Sequence, residues 1–176
     1  LHIRTSAACM GQGVGTVCLH IVCETTGISP NLMLHERANT ARTPDSGTST
    51  ASRQTLFTGE ATKRAAQKLA AAMDEVRFAR KNDACLMNPN GDWENEADLL
   101  PDQDILRALE GQEFYGEYLG VTDPMGSDKP NPVSHIAYGY ATQVVILDEN
   151  GKLEKVVAAH DAGTVINPRS AEGQIE

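Results

Sequence analysis

The stretch 8-ACMGQGVGTVC-18 decides the fold of this chain, because it places glycine at three alternate positions ahead of an apolar run. The apolar residues from Val14 to Val22 repeat at the interval of one helix face, and Gly27 follows as a C-cap. Glycine at 11, 13 and 15 lets the backbone turn sharply or approach a ligand closely. The stretch predicts the end of a strand, a tight loop and a helix.

The segments on either side extend this unit into an α+β fold with mixed sheets and long helices. Residues 2–9 and 31–38 are predicted strands, which gives a βαβ-like unit. The polar stretch 39–54 predicts a loop, the alanine-rich stretch 52–81 one long helix, and 100–111 a short helix. Two apolar runs within 136–163 flank Asn150-Gly151, the strongest short signal for a β-hairpin. Residues 166–176 begin another loop-to-helix element.

Composition excludes several classes of partner. The chain has 24 acidic and 15 basic residues and a net charge of -9, which argues against binding to nucleic acid or an anionic membrane. No apolar run approaches the roughly 18 residues of a membrane span. The four cysteines form no CxxC pair, which favours reduced thiols and a cytoplasmic location. The five histidines have no zinc-ligand spacing, so no metal site is predicted from them.

The residues alone leave the role of the glycine loop open. Thr16 stands where a dinucleotide-binding GxGxxG loop has its third glycine, and Glu36 lies near the middle of the predicted second strand. Both features weaken a nucleotide-binding interpretation. A purely structural turn and a site for another phosphate-bearing ligand remain as alternatives. Gln12, exposed between two glycines, would offer such a ligand a donor and an acceptor.

The stretch 47-GTSTASRQT-55 is a second candidate site with a similar ambiguity. Its small hydroxyl residues precede a long helix, so they can simply cap it. They can also hold a phosphate or carbonyl group, with Ser52 and backbone amides as donors. His160-Asp161 has two interpretations as well, an acid/base pair or an aspartate that caps the next turn.

Three motifs in this order, MGQG, TPDSGTSTASRQ and HDAGTVINPRSAEGQIE, carry a resemblance to a known family. The chain resembles the molybdopterin-binding large subunit of the xanthine dehydrogenase and aldehyde oxidase family over nearly its whole length. The last motif is the most specific. Residues 82–131 resemble the family least, and this loop-rich stretch is left unassigned. Residues 1–176 are accordingly expected to be a fragment of a molybdopterin-binding domain, truncated at both ends.

The resemblance implies a set of cofactor-binding residues. They are the glycine loop, the Ala-Ser segment with its neighbours, and the glutamine of the last motif: Met10, Gly11, Gln12, Gly13, Ala51, Ser52, Arg53, Gln54 and Gln174. The family's general-base glutamate is expected beyond residue 176, so Glu176 is not that base. No catalytic residue is therefore assigned within the chain.

The function implied is part of a molybdenum hydroxylase of xanthine dehydrogenase type, acting in purine metabolism or on a related substrate. It would bind molybdopterin, in its mononucleotide or dinucleotide form, and hydroxylate a purine, another N-heterocycle or an aldehyde with oxygen from water. The resemblance places 2Fe-2S clusters and FAD on other segments or subunits of a homo- or hetero-oligomer. The fragment alone is expected to be inactive. The alternatives are a non-catalytic structural module of the same fold and a nucleotide-binding βαβ protein.

Overall fold

The computed structural model describes residues 1–49, 52–83, 102–124, 126–133 and 136–176. Within these ranges, helices and strands form an α+β arrangement with one parallel and one antiparallel pair of strands. None of the helices in these ranges is both long and apolar enough to cross a bilayer. In chain order the elements are β1 (His2–Arg4), α1 (Val14–Thr26), β2 (Leu34–Glu36), α2 (Gly59–Asp83), α3 (Asp102–Ala108), β3 (Tyr140–Leu147), β4 (Leu153–Asp161) and α4 (Pro168–Ile175).

The first three elements form the predicted strand–helix–strand unit. β1 and β2 pair in parallel, with Ile3 opposite His35. The strands are shorter than the sequence predicts, because the pairing covers only three residues on each side. Helix α1 ends where expected: Gly27 adopts φ 74° and donates its N–H to the carbonyl of Cys23 at 2.8 Å.

The long helix begins later than the sequence predicts. Residues 52–81 were expected to be one continuous helix, but Gln54–Thr58 form a turn of π-helix and α2 starts only at Gly59. Within that turn the Thr58 hydroxyl donates to Gln54 Oε1 at 2.6 Å. The short helix expected over 100–111 is present as α3, inside the stretch 82–131 that was left unassigned. Residues 84–101 of that stretch lie outside the described residues.

The core lies between α1, α2 and α3. One cluster joins β1 and α1 to Ala66 of α2, and a second joins α2 to α3. The buried positions of α1 are four residues apart, so one face of that helix packs inward. The buried residues of the two clusters are Ile3, Ala7, Val14, Cys18, Val22 and Ala66, and Ile28, Leu69, Met73, Ile105 and Leu109.

The C-terminal hairpin is the predicted one. Val144 lies opposite Val157, and Gly151 in the connecting turn has φ 76°. Every residue of β3 and β4 is exposed, including valines on both faces of the hairpin. Asp161 accepts a hydrogen bond from the Gly163 N–H at 2.9 Å, so it caps the turn after β4.

Candidate functional site

The glycine loop presents backbone amides at the start of α1. Gly13 precedes the helix with φ 74° and, as the N-cap residue, has no side chain to cap the first turn; Gly11 has φ 111°. Both conformations lie in the left-handed region that favours glycine. The first N–H groups of α1 are therefore oriented by glycine geometry and not satisfied by an ordinary N-cap side chain.

The backbone amides of this loop also act on the thiol of Cys9. Hydrogen bonds from the backbone of Gly11 and Gly13, with a smaller one from Val14, lower the pKa of Cys9 below its ordinary value. Burial raises the pKa of Cys9, but the backbone amides outweigh this effect. The amides of this loop thus stabilise negative charge beside the start of α1, which is the property that a phosphate oxygen requires.

Gln12 bonds to its own loop. Its Oε1 accepts the Met10 N–H at 2.5 Å, and its Nε2 donates to the carbonyl of Ala8 at 2.8 Å. An amide side chain has two acceptor positions and two donors, so one of each is left for a ligand. Met10 itself is 73% exposed. Gln12 therefore stabilises the conformation of the loop through its bonds to Met10 and Ala8.

The serine- and threonine-rich segment reaches the glycine loop from the other side. The Ala8 N–H donates to Ser49 Oγ at 3.3 Å. Ser52 has φ 53°, and it is the only non-glycine residue with positive φ in the described ranges. Such strain persists only where the surroundings impose it, and turns of π-helix such as the one that follows occur often at functional sites.

Arg53 and Gln54, also predicted site residues, lie at the start of this π-turn. The Arg53 guanidinium stacks over the Phe57 ring, 4.6 Å from the centroid. It is half-buried and has no carboxylate partner among the residues that the structure describes. Gln54 uses its carbonyl oxygen on Thr58, as noted above. The remaining predicted residue of this segment, Ala51, lies outside the described residues.

The third motif meets the glycine loop through α4. Asn167 caps this helix by accepting the Ser170 N–H at 3.2 Å, with Pro168 at the first position. A Cβ at Gly13 would lie 3.2 Å from Ser170 Oγ, so a side chain at this position would press on α4. The carbonyl of Ile166 also lies 3.0 Å from His20 Nδ1 of α1.

The structure thus brings together all three motifs that the sequence singled out. The Ala8–Ser49 bond joins the first to the second, and the Gly13–Ser170 contact joins the first to the third. Gln174 is exposed and lies one helical turn after Ser170, on the same side of α4. Among the described residues, no group of three histidine, cysteine or acidic side chains is arranged to hold a metal ion.

Sequence reasoning did not single out three residues that lie at these contacts, Cys9, Ser49 and Ser170. The signal for Cys9 was available, because a cysteine just before a helix start faces amides that lower its pKa. Nothing local distinguishes Ser49 or Ser170 from an ordinary loop or helix serine, since both matter through tertiary contacts.

Glu36 corrects one sequence-based expectation. It is the last residue of β2 and not near the middle of the strand. Its Oε2 accepts from Arg4 at 2.9 Å and its Oε1 lies 2.7 Å from His2 Nδ1. The bond from Arg4 and then that from His2 hold the pKa of Glu36 below its usual range. Because both oxygens are engaged, this carboxylate offers little support for binding a ribose.

The donors of the three segments fit a pterin cofactor that carries phosphate. They are the backbone amides of the glycine loop, small hydroxyls, side-chain amides and a guanidinium without a carboxylate partner among the described residues, all suited to phosphate oxygens and to the polar edge of a pterin. Helix α4 approaches Gly13 closely and so brings its polar side chains to the glycine loop.

Comparison with known proteins bears on the fold and on the cofactor. The family model described as molybdopterin cofactor-binding domain matches residues 1–176. The chain is 25% identical over 189 residues to the 6-hydroxypseudooxynicotine dehydrogenase complex subunit gamma of Paenarthrobacter nicotinovorans, covering 98% of this chain and 23% of that protein. It also matches the crystal structure of the Cu,Mo-CO dehydrogenase in its carbon-monoxide-reduced state, with a TM-score of 0.66 and 23% identity over 99% of this chain and 23% of that one.

The chain therefore spans about a quarter of the length of each of these two relatives. The likeness to the solved structure shows a common fold, and the family match identifies molybdopterin as the cofactor. By its sequence over the full 176 residues, this chain belongs to the molybdopterin cofactor-binding domain family.

Proposed function

We propose that this chain holds the pterin of a molybdenum hydroxylase that oxidises an N-heterocycle, such as a purine, or an aldehyde. The observation that carries the proposal is the meeting of the three motifs at the start of α1. When bound, the cofactor supplies a two-electron oxidation of carbon with oxygen taken from water. The general base, the iron–sulfur clusters and the flavin belong to other segments or subunits in this proposal.

The residues of this chain would bind and orient the cofactor. The amides of Gly11 and Gly13 and the Arg53 guanidinium supply donors for phosphate, in either the mononucleotide or the dinucleotide form. Gln12 and Gln174 supply amide groups for the polar edge of the pterin. Met10 lies two residues before Gln12, and Ser52 lies immediately before Arg53. The molybdenum itself would receive no ligand from these residues.

The names of the relatives support an enzyme made of several subunits. One relative is a subunit of a dehydrogenase complex, and the other is a dehydrogenase that contains molybdenum. We extend to this chain the general reaction, oxidation by a molybdenum enzyme, together with partner subunits that carry the electrons away. A cytoplasmic location is part of the same proposal.

One observation favours a second candidate, a non-catalytic module with the same fold. Gln12 closes the glycine loop on itself through Met10 and Ala8, and this alone would make the loop a stable turn. This candidate predicts that the loop keeps its shape and that the intact protein carries no cofactor.

Replacing Gln12 by alanine tests the first candidate. The variant loses two hydrogen bonds that set the loop, so the molybdenum and pterin retained by the intact protein after dialysis should fall about fivefold to tenfold. Gln67→Ala, an exposed glutamine on α2, is the matched control and should retain both. Equal retention in the two variants would argue against a cofactor held by this loop.

A further inference from the structure

An extended segment, residues 113–120, runs along α2 in the direction opposite to the helix, and we name it the strap. Phe114 packs against the α2–α3 core cluster near the middle of α2. Further along the strap, the carbonyl of Tyr115 accepts from Lys68 Nζ at 2.6 Å, and that of Glu117 accepts from Arg64 Nη1 at 2.9 Å. The strap thus leads from the core to the N-terminal end of α2, where the π-turn lies.

Two glycines allow the strap to lie directly on the helix. A Cβ at Gly116 would lie 2.0 Å from the carbonyl oxygen of Ala61, which is a backbone atom of α2. A Cβ at Gly120 would lie 2.4 Å from two carbons of the Phe57 ring. The strap therefore touches the residue on which Arg53 stacks.

The end of the strap completes a stack of four side chains. The Phe57 and Tyr118 rings meet edge to face, with centroids 5.5 Å apart and an interplanar angle of 67°. Arg64 covers Tyr118 at 5.0 Å, and Arg53 covers Phe57 at 4.6 Å. The order is Arg53, Phe57, Tyr118, Arg64. Because Arg64 also bonds to Glu60 and to the strap backbone, the far end of the stack is fixed.

The near end of the stack is the guanidinium that the proposed function assigns to a phosphate. Arg53 follows Ser52, whose φ of 53° fixes the direction in which the chain enters the π-turn. The donors of a guanidinium form a rigid planar fork, so binding depends on where that plane lies. The Phe57 ring lies against this guanidinium, and Tyr118 and Gly120 lie against the ring.

We infer that Tyr118 is a positioning residue for the cofactor, acting through Phe57 on the Arg53 guanidinium and hence on a phosphate-bearing ligand. The inference rests on the proposed function, since it needs Arg53 to face the cofactor. It assigns a role to a part of the chain, 82–131, where sequence reasoning assigned none.

The test is a double-mutant cycle in the intact protein, read out as molybdenum and pterin retained after dialysis. Tyr118→Leu should lower retention about fivefold, the size expected for losing one aromatic support of a cation. Tyr118→Phe keeps the ring and should restore retention. In a chain that already carries Arg53→Gln, Tyr118→Leu should cause no further loss, because its effect passes through Arg53.

Tyr115→Leu is the matched control, because Tyr115 lies on the same strap with its side chain 56% exposed and bonds to α2 only through its carbonyl. If Tyr118→Leu does not fold, Gly120→Ala takes its place, since its Cβ displaces the Phe57 ring without deleting a side chain. Gly120→Ala should lower retention in the wild-type background and not in the Arg53→Gln background.

The possible outcomes separate the two proposals. Wild-type protein without molybdenum or pterin overturns the proposed function and this inference with it. Loaded wild-type protein whose retention is unchanged by Tyr118→Leu or Gly120→Ala overturns the inference alone. Losses that add to that of Arg53→Gln also overturn it, since additivity indicates a general structural effect and not action through Arg53.

Discussion

Gly116→Ala is expected to lower the free energy of unfolding by about 3 kcal/mol, at the upper end of the range for overpacking. The new Cβ would lie 2.0 Å from the oxygen of Ala61 and 2.6 Å from the nitrogen of Ala65, two backbone atoms inside α2. A side chain could rotate away from such a clash, but the backbone of a packed helix cannot. The strap must therefore separate from α2, which also breaks its bonds to Lys68 and Arg64.

Thermal unfolding of the intact protein measures this effect. For a domain of this size the loss corresponds to a Tm lower by about 6–12 °C. Gly139→Ala is the matched control, because Gly139 lacks positive φ and its Cβ would make an ordinary contact at 3.4 Å with the carbonyl of Asp161. If the two variants unfold at the same temperature, the strap does not lie on α2 as described.

The second large effect is expected for Gly13→Val, on cofactor retention. Gly13 has φ 74°, a conformation that a β-branched residue adopts only at a cost of about 2 kcal/mol. In addition, its Cβ would lie 3.2 Å from Ser170 Oγ, and the valine methyl groups extend further towards α4. The substitution both reorients the amides of the loop and moves α4 away. We expect retained molybdenum and pterin to fall at least about tenfold.

Gly27 provides a close control for this experiment. It lies at the other end of α1 with the same φ of 74°, but nothing lies within 4 Å of a Cβ there. Gly27→Val should therefore have a similar backbone strain and lose stability, yet keep the cofactor. Equal losses of molybdenum in the two variants would mean that retention follows the stability of α1 and not the contact between the glycine loop and α4.

The parts of the fold that local chemistry determines were predictable from the sequence. Asn150-Gly151 predicted the hairpin turn, in which Gly151 supplies the positive φ of 76°, and Gly27 predicted the end of α1 because it also tolerates positive φ. The parallel pairing of β1 and β2 followed from the helix between them. The length of β1 could not be predicted, because it depends on how many residues of β2 pair with it.

The π-turn and the strap were not predictable, because tertiary contacts produce both. The alanine-rich run of strong helix formers begins at Glu60, and no residue of Gln54–Thr58 favours a π-turn over the ordinary helix that the sequence predicted there. From the sequence, Gly116 and Gly120 are ordinary loop glycines. The structure shows that they lie against Ala61 and Phe57.

The site was predictable as three motifs but not as an arrangement. The sequence identified the glycine loop, the Ser52 segment and the α4 motif, and the structure adds the contacts that join them. The sequence did not indicate that Gln12 bonds to Met10 and Ala8, because a glutamine between two glycines is equally compatible with facing a ligand. The roles of individual residues towards the cofactor therefore remain predictions.

The central claim is that the three segments at the start of α1 hold molybdopterin, and metal and pterin analysis tests it most directly. The intact protein is purified from cells grown with molybdate, and its molybdenum and extractable pterin are measured per chain. We expect both in stoichiometric amounts. Protein with neither, produced under conditions that load a known molybdenum enzyme in the same cells, would contradict the claim and leave the glycine loop as a structural turn.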